Sequence, residues 1–211
     1  MRTKTLLMAA AVMAAGLGAS VAQTVYSVNS VGYVNLSLPA GFSLISNPLN
    51  GTNNSLDTIL SGAPVDSVIY KFNNGAFEEA NTQFGPGVGW FPGNTLAPGE
   101  GAFIQLPSAA TLTFVGEVPQ GNLTNNVPAN YSMKSSQVPQ AGLITTALLY
   151  PAAVDDVVYQ WDRATQSYLE ATTFFGPGVG WFPIEPNLTV GESVFVYSTA
   201  GAKWSRTFSV N

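Results

Sequence analysis

An enzyme built from this chain would have to work with carboxylates, tyrosines, lysines and serines, because its 211 residues include no histidine and no cysteine. That removes Ser-His-Asp and Cys-His nucleophilic catalysis, thiolate and imidazole metal sites, and the commonest general base near neutral pH. Two carboxylates suffice for glycoside hydrolysis. Three pairs stand at matching places of an internal repeat: Asp66 with Asp155, Glu79 with Glu170, and Glu100 with Glu192. A catalytic dyad is built once, in two environments that drive its pKa values apart. A carboxylate needed at the same place of both copies reads as structural instead. Asp66 and Asp155 open a strand, where the side chain can accept turn N–H groups. Glu100 and Glu192 follow a glycine and precede an apolar strand, which suits them to satisfying backbone donors. A calcium site from Asp155, Asp156 and Asp162 is a weak reading, since the first copy has Ser67 and Asn73 at the last two places. The expectation is a non-enzyme with no cofactor and no metal.

The repeat is anchored by FGPGVGWFP, which occupies residues 84–92 and again 175–183, 91 positions later. Its glycines lack the lysine and spacing of a phosphate loop. Gly85-Pro86-Gly87 and Gly176-Pro177-Gly178 suit a type II turn instead, with proline at i+1 and glycine supplying φ > 0 at i+2. The aromatic pairs that follow, Trp90 with Phe91 and Trp181 with Phe182, are the candidate ligand contacts. A turn-borne ring can stack on a sugar face, with Glu79 and Glu170 as hydroxyl partners. The competing reading makes one ring of each pair a core plug. Tyr70, Tyr159 and Trp161, on strands, are expected in the core.

These residues are positioned by two copies of one unit. Residues 39–72 align on 128–161 at an offset of 89, residues 76–92 on 167–183 at 91, and residues 98–105 on 190–197 at 92. The added residues fall in turns, as they should after a duplication. Each copy predicts about six strands in a small barrel or sandwich with one short helix. In the first they are residues 26–38, with a phase change near Ser30, then 42–49, 67–72, 76–83, 101–107 and 111–118. An Asn73-Asn74-Gly75 turn predicts a hairpin. Residues 55–60 predict the helix, capped by Asn54 and ended by Gly62, and residues 145–149 the same site in the second copy. The division is 1–22 signal peptide, 23–116 first unit and 117–211 second unit.

The start of the chain has Arg2 and Lys4, an apolar run from Leu6 to Leu17, and Ser20 and Ala22 before Gln23. That is the pattern of a secretory signal, and the run is too short for a retained span. Losing it makes the net charge more negative than the whole chain's −5. Such a surface with no basic cluster argues against nucleic acid and anionic lipid. Charged residues make up 9% and apolar ones 46%, the opposite of the balance that keeps a chain disordered.

GFSLISNPLN, FVGEVPQGNLTN, SSQVPQAG and the VYQWD…GW…GES series resemble a duplicated β-rich repeat of secreted proteins from Verrucomicrobia and related bacteria. The resemblance spans essentially the whole exported chain. It implies an exported β-rich protein and brings no activity or site residues with it. Together these readings predict an all-β secreted protein, structural or adhesive, in the periplasm, at the cell surface or outside. The alternatives are a carbohydrate-binding protein with Trp90 and Trp181 as twin platforms, and a self-assembling layer or filament in which residues 26–38 add as a strand to a neighbour. The partners expected are an extracellular polysaccharide, an envelope component or a second copy.

Overall fold

The computed structural model describes residues 30–210. The expected signal, residues 1–22, and the start of the first expected strand, including Tyr26 and Val28, lie outside them. Among the described residues the chain is all-β apart from one turn of helix, α1 (Leu56–Ile59).

In chain order the strands are β1 (Val31–Leu38), β2 (Gly41–Ser46), β3 (Val68–Asn73), β4 (Ala76–Phe77), β5 (Asn81–Gln83), β6 (Trp90–Phe91), β7 (Gly101–Leu106) and β8 (Ala110–Glu117). They continue with β9 (Gly121–Val127), β10 (Asn130–Lys134), β11 (Gly142–Leu143), β12 (Val157–Tyr159), β13 (Trp161–Asp162) and β14 (Ser167–Tyr168). The last are β15 (Thr172–Phe174), β16 (Trp181–Phe182), β17 (Asn187–Leu188), β18 (Val194–Ser198) and β19 (Ala202–Phe208).

One sheet runs β2-β7-β3-β5-β6, with β4 folded back on β3, and a second runs β10-β18-β12-β15-β16. Two long two-stranded ribbons that join distant parts of the chain, β1 on β8 and β9 on β19, complete the architecture with the short pairs β11-β17 and β13-β14. All of these ladders are antiparallel. The sheets are open, so the small barrel is not what forms. One physical reason is at hand: β6 and β16 last two residues and run into Pro92 and Pro183, which have no N–H to carry a ladder on.

Alternation decides what each strand buries. In β1, Leu36 and Leu38 go inward while Val31 and Tyr33 face solvent. In β8 the buried residues are Leu112 and Phe114. β2 and β7 are covered on both faces. Ile45, Ala102 and Ile104 join one core with Leu56, Ile59 and Leu60 of the helical turn. Leu44 and Phe103 point the other way, onto Met133 and Phe195 of the second sheet. A further core gathers Ile144, Leu148, Tyr150, Trp181, Val196 and Trp204.

The hairpin expected at residues 73–75 forms: Asn73 pairs with Ala76, and Asn74 and Gly75 both have positive φ, as a type I′ turn needs. The helical turn is capped by Ser55 rather than Asn54. Ser55 offers its carbonyl to the N–H of Thr58 and Ile59, while Asn54 sits at φ +51°. In the second copy no helix forms. Residues 144–148 make a wider turn in which the N–H groups of Ala147 and Leu148 share the carbonyl of Leu143. Both versions bury the apolar side, Leu56 and Ile59 in one and Ile144 and Leu148 in the other.

An aromatic cleft as the candidate functional site

The two sheets meet through aromatic side chains that only partly cover one another. Each sheet contributes its rings as cross-strand neighbours, the arrangement in which side chains on one face touch. Tyr70 of β3 lies opposite Phe103 of β7, and Phe72 opposite Phe77. In the second sheet Tyr159 of β12 lies opposite Phe195 of β18, and in the short β13-β14 pair Trp161 lies opposite Tyr168. Phe42 and Tyr131 complete the set from β2 and β10. At the repeat's offsets these are five aligned pairs: Phe42 with Tyr131, Tyr70 with Tyr159, Phe72 with Trp161, Phe77 with Tyr168, and Phe103 with Phe195.

The contact between sheets is reciprocal. Trp161 stands edge-on to Phe103 at 5.2 Å between centroids, and Phe72 stands edge-on to Phe195 at 5.0 Å. Such perpendicular pairs set the positive ring edge against the negative face. Two hollows flank this seam. One, of about 370 Å³, is bounded by Phe42, Tyr70, Phe77, Phe103, Trp161 and Tyr168. The other, of about 380 Å³, is bounded by Phe72, Tyr131, Tyr159, Tyr168 and Phe195. The first takes four rings from the first sheet and two from the β13-β14 pair; the second takes Tyr131, Tyr159 and Phe195 from the second sheet, Tyr168 from β14 and Phe72 from the first sheet. Burial pushes the phenols of Tyr159 and Tyr168 above their ordinary range, with a hydrogen bond to Tyr131 adding to it for Tyr159. The walls are neutral.

The two-residue insertion in the second copy's turn acts here. Gln166 accepts from the N–H of Phe42 at 2.6 Å and donates to the carbonyl of Phe42 at 3.0 Å, standing in for a strand along β2. The Trp161 indole N–H donates to the same carbonyl at 2.9 Å, and Arg163 reaches the carbonyl of Leu44. The first copy's shorter turn has no counterpart to Gln166.

The residues singled out from the sequence fall elsewhere. Trp90 is 3% exposed and Trp181 8%. Their indole N–H groups donate to the Leu60 carbonyl and the Thr145 hydroxyl. Neither indole offers a stacking face; these are the plugs, and the rings left outside are Phe91 and Phe182, 60% and 63% exposed. Glu79 and Glu170 are exposed, and among the described residues their carboxylates accept no hydrogen bond. The turns before Trp90 and Trp181 have the geometry of type II: Gly87 and Gly178 sit at φ +93° and +97°, and Val88 and Val179 donate to the carbonyls of Gly85 and Gly176, with Pro86 and Pro177 at i+1.

The duplicated acids divide. Glu100 accepts from the N–H of Ala97 and pairs with Lys71 at 3.2 Å, and Glu192 accepts from the N–H and hydroxyl of Thr189. Both satisfy backbone donors, as expected. Asp66 and Asp155 work through the backbone instead, each holding φ near +66° at the third position of a turn closed by Ser67 and Asp156. That overturns the role assigned to their carboxylates. Asp155, Asp156 and Asp162 do not converge on a cation position. Asp156 is instead buried under Tyr150, and Asp162 accepts from Ala164 and Thr165.

Tyr70, Tyr159 and Trp161, expected in the core, line the cleft half-exposed. Alternation alone places strand aromatics in the core, which hides the cleft. Its signal was nonetheless available, as ring-for-ring agreement between the copies on the strand face opposite Ile69 and Val158. A third hollow, of about 500 Å³ and bounded by Asn50, Asn54, Glu117, Gln120, Leu123 and Gln137 among others, has among the described residues no ring to stack on. Among the described residues no helix is long and apolar enough to cross a membrane. Comparison of the chain with protein-family models, curated proteins and solved structures returned no match.

Proposed function

We propose that this is an exported, non-enzymatic structural or adhesive protein of the cell surface or extracellular space, formed from two copies of one β-rich unit. The observation that carries the reading is the doubled aromatic cleft, two neutral hollows of nearly equal volume made from aligned rings. Contiguous exposed apolar surface on a folded protein marks a place where something else binds. Support for two copies comes from the matching strand orders, β2-β7-β3-β5-β6 and β10-β18-β12-β15-β16. The recurring acids lend support to a non-enzyme, since Glu100 and Glu192 are occupied with backbone donors. Fractionation of the producing cell tests the reading. The product should begin at Gln23 and be recovered with the envelope or the medium. A cytoplasmic product that keeps residues 1–22 would sink it.

Carbohydrate binding is the second reading, favoured by the three tyrosines, Tyr131, Tyr159 and Tyr168, around one hollow. These rings take over from Trp90 and Trp181 as the platform. Depletion of dilute protein by insoluble polysaccharides, lost in Tyr159→Ala, would select it. Hydrolysis of any glycan would overturn the non-enzyme reading.

A further inference from the structure

The nine identical residues expose the same apolar side chains twice. Around the first turn Phe84, Val88 and Phe91 face solvent, and around the second Phe175, Val179 and Phe182 do so. The buried tryptophan explains why the scaffold of the turn is retained in both places. It does not explain the exposed side chains, which stay open to solvent even where Phe175 stands edge-on to Phe182 at 6.4 Å, while elsewhere the copies differ at many positions. An exposed apolar tip that is kept in duplicate is a contact surface.

We propose that each tip is the occupant of an aromatic hollow on a second copy of this chain. The tip carries no charge from residue 84 to 92 or from 175 to 183, and among the described residues no charged side chain bounds either hollow. The contact therefore avoids the repulsion expected between chains of net charge −5. Numbers match as well as chemistry, with two tips for two hollows. Tip and hollow are different parts of the molecule. The tips follow the β5-β6 and β15-β16 edges, whereas the hollows lie on the face of β3, β7, β12 and β18. A contact between unlike surfaces is heterologous and propagates unless its rotation closes a ring. The expected product is a filament or layer. This deepens the structural reading above and rests on it. It differs from strand addition by residues 26–38, because no backbone edge is used.

Sedimentation of the exported protein over a wide concentration range tests this. Two variants are needed, each checked for native far-UV dichroism and melting. The tip variant is Val88→Ser/Phe91→Ser/Val179→Ser/Phe182→Ser, all at exposed sites. The hollow variant is Phe77→Glu/Tyr168→Glu, which puts charge at the two aligned rim positions. Wild type should form fast-sedimenting species that both variants lose, and mixing the two variants should restore limited association. Trp161 fluorescence should shift to the blue on assembly of wild type and in the mixture. Persistent assembly of the tip variant would overturn the proposal and leave strand addition as the route. Monomeric wild type at every concentration would also overturn it, while fractionation with the envelope would leave the structural or adhesive reading standing. If the hollow variant does not fold, the tip variant mixed with wild type decides. Its intact hollows should cap growing assemblies, and undiminished assembly would sink the idea.

Discussion

Ser46 donates its backbone N–H to the carbonyl of Gly191 at 2.9 Å, across the seam between the two sheets. The aligned pair does the same in the opposite direction, Ser135 donating to Gly99 at 3.0 Å. The seam is thus an exchange of equivalent bonds, and near its middle Gly101 faces its own aligned position, Ser193. A Cβ on Gly101 would stand 2.7 Å from the Ser193 hydroxyl and 2.8 Å from the Cβ of Met133. Gly101→Val should therefore force the sheets apart and cost about 3 kcal/mol, the upper range for overpacking. Urea melts read the loss. Trp161 emission should move to the red as the cleft opens, and an unchanged midpoint would show that the seam is loose.

Asp156 should be among the most costly acids to remove. Its buried carboxylate accepts from the Tyr150 hydroxyl, the Ala153 N–H, and the N–H and hydroxyl of Thr199. The first copy has Ser67 at this position, bonded to the carbonyl of Pro64. Asp156→Ala strands several buried donors and should cost about 3 kcal/mol, whereas Ser67→Ala should cost about 1 kcal/mol. Paired denaturation curves decide; equal losses would contradict the assigned network.

The same cluster sets an alkaline limit. Burial first, then the hydrogen bond to Asp156 and its charge, raise the Tyr150 phenol well above its ordinary value of 10.0. An unfolded chain gives up that proton near pH 10 while the folded one keeps it, so above that pH the native state binds more protons. Stability contributed by Tyr150 is complete below pH 10 and falls as pH climbs beyond it. Tyr150→Phe should be less stable at neutral pH and show a shallower alkaline decline. The decline is followed by urea midpoints from pH 8 upward.

Trp90→Ala and Trp181→Ala should each cost about 3–5 kcal/mol, the range for emptying a buried aromatic site. Loss of ligand binding in such variants would report unfolding, so binding experiments belong to the cleft rings. Thermal melts of the single variants are the check, and a loss under 1 kcal/mol would mean the indoles are not plugs.

Glycines in the two turns separate backbone strain from collision. Gly89 and Gly180 are aligned and have φ of +73° and +77°. Among the described residues a Cβ on Gly180 meets nothing within 4 Å, but on Gly89 it would collide with the Asp57 carboxylate that accepts from the Trp90 N–H. Gly180→Ala should cost about 1 kcal/mol, the penalty for a side chain in the left-handed region. Gly89→Ala should cost roughly 2–3 kcal/mol by adding a lost buried acceptor. Differential scanning calorimetry of both variants measures the difference.

What the amino-acid sequence determined by itself is local. Pro86-Gly87 and Asn74-Gly75 dictate their turns, because few residues tolerate the backbone angles those turns require. Alternation predicts the strands, since successive side chains must leave on opposite faces. It also separates Ile69 from Tyr70 and Phe72. Glu100 and Glu192 could be assigned to backbone donors because both stand at the entrance to an apolar strand. Tertiary structure alone decided what covers the second face. Period-two patterning reads the same whether the outer rings of β3 and β12 meet a closed core or an open seam, and the difference lies in a sheet distant in sequence. The same holds for Trp90 and Phe91, adjacent rings of similar apolar character. Which one turns inward depends on the Leu60 carbonyl and Asp57, about 30 residues away, offering bonds to the indole and backbone N–H. It holds for Gln166 too, whose amide finds its partners on Phe42, 124 residues earlier.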